Sequence, residues 1–166
     1  MKDNFIKKPA NQDEIDLYCF VGEALWKTQV VEQALSHTIT LKLNSTVTKK
    51  EADEFLKKQQ GYTLGKAVNL GDKEKLYSAT LQADLYGFLD KRNWLVHKAM
   101  HESMDDFYEE SKKELLFKKI KSISNDAERM QHEIELDLID FCEARGKNMS
   151  GARQIINSRY GNPETK

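Results

Sequence analysis

Apolar side chains recur at helical spacing through almost the whole chain, and the breaks between the runs mark its elements. The first run takes in Ile15, Tyr18, Val21, Leu25, Val31 and Leu35, the pattern of an amphipathic helix with extra apolar positions that imply burial on more than one side. Asn11 and Glu14 ahead of it have the spacing of a capping box. From Thr38 to Leu43 threonines alternate with Ile39 and Leu41, a period that alone reads as a strand. A lone strand with no partner elsewhere would leave its backbone groups unpaired, so the first helix is expected to continue through this stretch.

Asn44-Ser45-Thr46 breaks the run, and Thr48 with Glu51 repeats the capping-box spacing before a short helix ending near Gly61. A second short helix is expected over Thr63 to Leu70, stopped by Gly71. From Asp72 a longer helix is predicted through Leu76, Leu81, Leu85, Phe88, Leu89, Leu95, Val96 and Met100. Ser103 with Asp106 has the spacing to cap the next one, which runs from Leu115 and Leu116 through Ile120, Ile123, Met130, Ile134, Leu138 and Phe141 to Arg145-Gly146, with an interruption expected at Ser122 to Asn125. A last short helix is predicted around Met149 to Ser158. Flexible ends are expected at about residues 1–10 and 160–166.

Composition narrows the architecture. With 166 residues the chain is read as one domain, 1–166, and with only 2 prolines and 8 glycines against 32% charged residues it favours long helices over a turn-rich sandwich. The fold class expected is therefore all-α: a helical bundle of two long helices with short connecting ones. Lys plus Arg number 26 against 27 Asp plus Glu, so charge balance gives no general attraction to nucleic acid or membrane, and any RNA-binding surface has to be local. Cys19 and Cys142 are too few and too far apart for a disulfide framework or a zinc finger. With no signal-peptide stretch and no apolar run of about 18 residues, a cytoplasmic protein that does not enter a membrane is expected.

Candidate chemistry sits in one stretch, Arg92-Asn93-Trp94-Leu95-Val96-His97. Arginine offers a permanently charged planar set of donors for phosphate oxygens, and histidine exchanges a proton near neutral pH. At about 100° per residue, Arg92 shares its face with Leu81, Leu85, Val96 and Ala99, whereas His97 lies about 140° away in a polar stripe with Tyr86, Asp90, Asn93 and His101. The two groups are thus expected on different faces, to be brought to one phosphate by a helix distortion or by a second copy across a two-fold axis. The blander reading of Arg92 is a buried ion pair or a side chain that snorkels to water.

The RNWLVH stretch resembles the R-x4-6-H motif of HEPN domains (higher eukaryotes and prokaryotes nucleotide-binding), here with four intervening residues and an asparagine after the arginine. Thr63-Leu64-Gly65-Lys66 also resembles a stretch common upstream of that motif, and the likeness covers residues 12–145. The resemblance implies a HEPN-like bundle that forms a homodimer. It also implies a metal-independent endoribonuclease cutting single-stranded RNA at a composite dimer site, in a toxin-antitoxin, phage-defence or RNA-processing role, with no cofactor. Arg92, Asn93 and His97 would be its catalytic residues, Asn93 orienting the imidazole, with Lys91, Lys98 and His101 as RNA contacts. An antitoxin or other regulatory protein would be a partner. Members paired with a nucleotidyltransferase carry a tyrosine two residues after the histidine; Ala99 stands here.

Two rivals stand beside this reading. The family includes catalytically inactive members, so the chain also fits a module that binds RNA, nucleotide or a protein partner. His97, His101 and Asp105 follow at four-residue steps, a metal-ligand spacing that lacks the paired Glu-x-x-His of a di-iron bundle; no metal is expected. The lysines at 112, 113, 118, 119 and 121 neighbour Glu109, Glu110 and Glu114 and read as a solvated face rather than an RNA groove. Trp94 and Tyr86 read as packing residues before base-stacking ones.

Overall fold

The computed structural model describes residues 9–44 and 62–161, with residues 50, 51, 53, 54 and 57 between them. All regular structure among the described residues is helical, as the apolar periodicity requires: α1 Gln12–Leu43, α2 Leu64–Lys73, α3 Ala79–His97, α4 Ala99–Phe107, α5 Glu110–Glu143 and α6 Ser150–Tyr160. Thr48 and Gly61, the expected limits of a further short helix, lie outside the described residues.

The capping box forms as expected. Asn11 Oδ1 accepts from the Glu14 N–H at 2.9 Å, and the Asn11 N–H donates to Glu14 Oε2 at 2.8 Å. The Thr38 to Leu43 stretch is helical. Its threonines are accommodated because their hydroxyls donate to the carbonyl one turn back: Thr38 to Ala34 at 2.9 Å and Thr40 to Ser36 at 2.8 Å, as Thr28 does to Ala24 at 2.7 Å. A hydroxyl satisfied by its own helix can be buried without a partner from another element.

Helices α1 and α5 form the spine and run parallel. Asp13 pairs with Lys113 at 2.6 Å, Glu23 accepts from Ser124 at 3.0 Å, and Lys27 reaches Glu128 at 2.6 Å, so the register advances in the same direction along both. Helix α3 returns antiparallel to α5, with Asp84 near Arg129 at 3.5 Å and Lys91 on Asp126 at 2.7 Å. Val31, Leu35, Ile39, Leu85, Phe88, Ile120, Ile123, Met130 and Ile134 fill the core between the three. Among the described residues helix α6 packs on α5 alone, through buried Ile156, the Tyr160 ring stacked on His132 at 4.5 Å and Arg153 bound to Asp140 and Glu143.

The upper end of this assembly is closed by a buried lysine. Lys42, whose side chain is 3% exposed, donates to Asp137 and to the Leu76 carbonyl, the latter at 2.7 Å, and its ammonium lies 4.4 Å from the Tyr77 ring centre. Three segments are thereby joined. Burial pushes the Asp137 carboxyl above its usual range, and the Lys42 ammonium opposes this only in part.

Several boundaries differ from expectation, the helix predicted through Met100 ending at His97 among them. The helix predicted from Asp72 begins at Ala79, because Glu74 to Ser78 form a turn with Lys75 at φ 53° and Ser78 Oγ accepting from the Leu81 N–H at 3.2 Å. Gly71 does not stop α2 but lies within it, where a Cβ would stand 2.8 Å from Tyr77 Cε2. Ser103 is buried inside α4 rather than capping α5, which opens at Glu109 with no side-chain cap. No interruption occurs at Ser122 to Asn125: α5 is continuous over 34 residues, with Ser124 turned onto Glu23.

Two substitutions test this packing. Lys42→Met is expected to cost about 3 kcal/mol in urea unfolding, since Asp137 loses its buried partner, and Lys42→Met with Asp137→Leu should recover most of that loss. Gly71→Ala is expected to lose about 1–2 kcal/mol, the clash with Tyr77 outweighing the gain in helix propensity; equal or higher stability would show that the ring moves freely.

Candidate functional site

Helix α3 delivers Arg92 on its buried side. Leu81, Leu85, Phe88 and Leu95 of the same stripe are in the core, while Arg92 is half-buried and Val96, one turn on, is 42% exposed. The stripe therefore leaves the core where the arginine stands. Its guanidinium turns out of the stripe in the manner of a snorkelling side chain and donates from one NH1 to Asn93 Oδ1 at 3.3 Å. The same nitrogen lies 3.5 Å from His97 Nε2.

This corrects the expectation that the two groups occupy separate faces. Helical arithmetic places Cα–Cβ directions, and the length of the arginine side chain covers the angle that separates it from an exposed histidine five residues on. Asn93 also acts differently: its amide oxygen holds Arg92, not the imidazole. Among the described residues no carboxylate pairs with Arg92, so the buried ion pair does not form and the guanidinium keeps donors for a ligand.

His97 is the last residue of α3, and Lys98, at φ −124° and ψ −29°, separates it from α4. The backbone bonds continue across, Lys98 N–H to Trp94 O at 2.9 Å and Glu102 N–H to Lys98 O at 2.8 Å. Of the three expected RNA contacts, Lys98 and His101 are exposed and make no ion pair among the described residues, whereas the Lys91 ammonium is bound to Asp126 at 2.7 Å. Lys91 thus ties α3 to α5.

No family model matches the chain, and no curated protein or solved structure matches it either. Its reading therefore rests on the geometry. No group of three His, Cys, Asp or Glu side chains able to hold a metal lies together among the described residues, so His97, His101 and Asp105 do not form the ligand set their spacing allowed. No helix among them is long and apolar enough to cross a membrane. Most of the lysine row is engaged internally: Lys112 on Glu109 at 2.7 Å, Lys113 on Asp13 and Glu110, Lys121 over the Phe20 ring and Lys119 over the Trp94 ring. The Tyr86 hydroxyl donates to Asp72 at 3.2 Å and so links α3 to α2.

Sequence reasoning missed two features. One is a bond from Trp94 Nε1 to Glu102 Oε2 at 2.8 Å. The other is an apolar cleft of about 370 Å³ between the first turns of α1 and α4, floored by Leu116 and Ile120, which leaves Tyr18, Met100, Met104 and Tyr108 exposed. The backbones of α1 and α4 stay more than 8 Å apart, and that gap has no signature in either helix's own periodicity.

The different positions of the two lysines have a measurable consequence. Lys91→Ala is expected to lower stability by about 0.5 kcal/mol through the lost Asp126 pair, and Lys98→Ala to leave it unchanged; equal effects in urea melts would contradict this assignment.

Proposed function

We propose that the chain is a HEPN-type, metal-independent endoribonuclease acting on single-stranded RNA, with Arg92 and His97 as its catalytic pair. The observation that carries the reading is the 3.5 Å approach of the Arg92 guanidinium to His97 Nε2 at the exposed end of α3, with no carboxylate among the described residues ion-paired to either group. A phosphate placed there meets a fixed cation and a proton-exchanging group together.

In this reaction a ribose 2′-hydroxyl attacks the adjacent phosphorus as His97 takes its proton; the bond from phosphorus to the 5′-oxygen of the next nucleotide breaks, and that oxygen takes a proton from the protonated His97 of the second copy or from water. Arg92 binds the phosphate oxygens and stabilises the charge that grows on them in the transition state. Asn93, bonded to NH1 of Arg92, holds the guanidinium in position. Lys98 and His101 meet the flanking phosphates. Such stabilisation is strongest where water is excluded, and the pair sits at an open helix end; a second copy of the chain supplies the missing wall, which makes the working site a composite of two protomers.

The experiment is RNA cleavage by wild type, Arg92→Ala and His97→Ala, with the mass in solution measured alongside. Each substitution is expected to reduce cleavage at least about 100-fold, with RNA binding retained in His97→Ala. Products should end in a cyclic phosphate or 3′-phosphate, and EDTA should leave the rate unaltered. A wild type that binds RNA but cuts none tested would make the chain a binding module, and a monomer in solution would remove the composite site.

A further inference from the structure

We propose that Trp94, Glu102 and Lys119 are positioning residues for His97, a clamp across the α3–α4 junction that sets the direction of the imidazole. The inference rests on the ribonuclease reading above, since only there does the direction of His97 matter.

The junction needs an external constraint. His97 ends α3, Lys98 departs from helical geometry, and α4 begins with no side-chain cap. On the outer side of this break the side chains do not pack, although Leu95 beside it is in the core: Val96 is 42% exposed and Met100 78% exposed, and His97 and Lys98 are exposed as well. Burial therefore does not fix the angle between the two helices from the outer side. Backbone bonds from Lys98 to Trp94 and from Glu102 to Lys98 keep the chain continuous, but each spans one turn and shares the break between them.

The clamp bridges the break itself. Residues 94 and 102 stand about 12 Å apart along a straight helix, yet the indole N–H of Trp94 donates to Glu102 Oε2 at 2.8 Å. The ring is pinned from a third element, with the Lys119 ammonium of α5 3.4 Å from its centre, a cation–π contact. One side chain thus ties the last turn of α3 to the first turn of α4 and to the spine. Trp94 is three residues before His97, on the same turn, so a change in its seating rotates the turn that carries the imidazole. An exposed hydrogen bond adds little to global stability; its effect is accordingly expected at His97 rather than in the melting curve.

The test compares Trp94→Phe, Glu102→Ala, Glu102→Gln and Lys119→Met by NMR of the His97 ring, thermal melting and RNA cleavage. Trp94→Phe and Glu102→Ala are expected to move the His97 resonances and to lower kcat about 10-fold with KM nearly unchanged. Glu102→Gln, whose amide oxygen still accepts from the indole, should restore most of both. The double variant Trp94→Phe with Glu102→Ala should be no worse than either single one, the signature of one shared contact. His97 resonances that stay in place in both single variants would overturn the clamp, as would a melting loss unaccompanied by any change at His97. A wild type that cleaves no RNA would defeat the ribonuclease reading separately, while the His97 resonances would still decide whether the clamp holds.

Discussion

The parallel pairing of α1 with α5 is the constraint on which the other elements depend. Two helices that run in the same direction cannot be joined by a short turn; the chain has to travel back the length of the spine before the second begins. Helices α3 and α4 are that return path. Their combined length of about 40 Å nearly matches the spine, and the break at Lys98 falls where the chain leaves the three-helix core to reach the start of α5. The candidate site therefore lies at a topological necessity, at the point where the returning helix loses its core contacts and its apolar stripe can carry an arginine at small cost.

Polar contacts choose the register of this pairing, and apolar ones supply its strength. Asp13 with Lys113, Ser124 with Glu23 and Lys27 with Glu128 fix which turn meets which, though half-exposed polar contacts of this kind contribute little energy individually. Lys42 differs because it is buried. A buried ammonium held by Asp137, a carbonyl and a ring face penalises any arrangement that separates the α2–α3 turn from the two long helices, which makes it a determinant of which fold forms as much as of how stable it is.

Much of the fold was legible because long helices carry their periodicity openly. Asn11 with Glu14 announced α1, and backbone hydrogen-bond accounting settled the threonine-rich end that alternation alone would have assigned to a strand. The two turns that the pattern missed share one cause: the chain bends without the usual breakers. Lys75 takes the left-handed conformation that glycine ordinarily signals, and Leu76 and Leu81 happen to continue a helical spacing across the turn. Lys98 bends the chain with neither glycine nor proline beside it. At the site, residue types and their place late in a helix were readable, but not the meeting of Arg92 with His97 or the capture of Asn93 by the arginine, because those depend on side-chain torsions that no periodicity encodes.

Helix α6 has a different standing from the rest. Among the described residues it packs on α5 and no other helix, and one buried isoleucine, a stacked ring pair, an arginine with two carboxylates and Arg159 near Glu135 hold it there. Its removal would leave the core of α1, α3 and α5 intact. It is thus expected to open as a cooperative unit of its own, without unfolding of the spine. The stability of the chain is consequently two quantities: one for the spine and its return helix, and a smaller one for the helix that rests upon them.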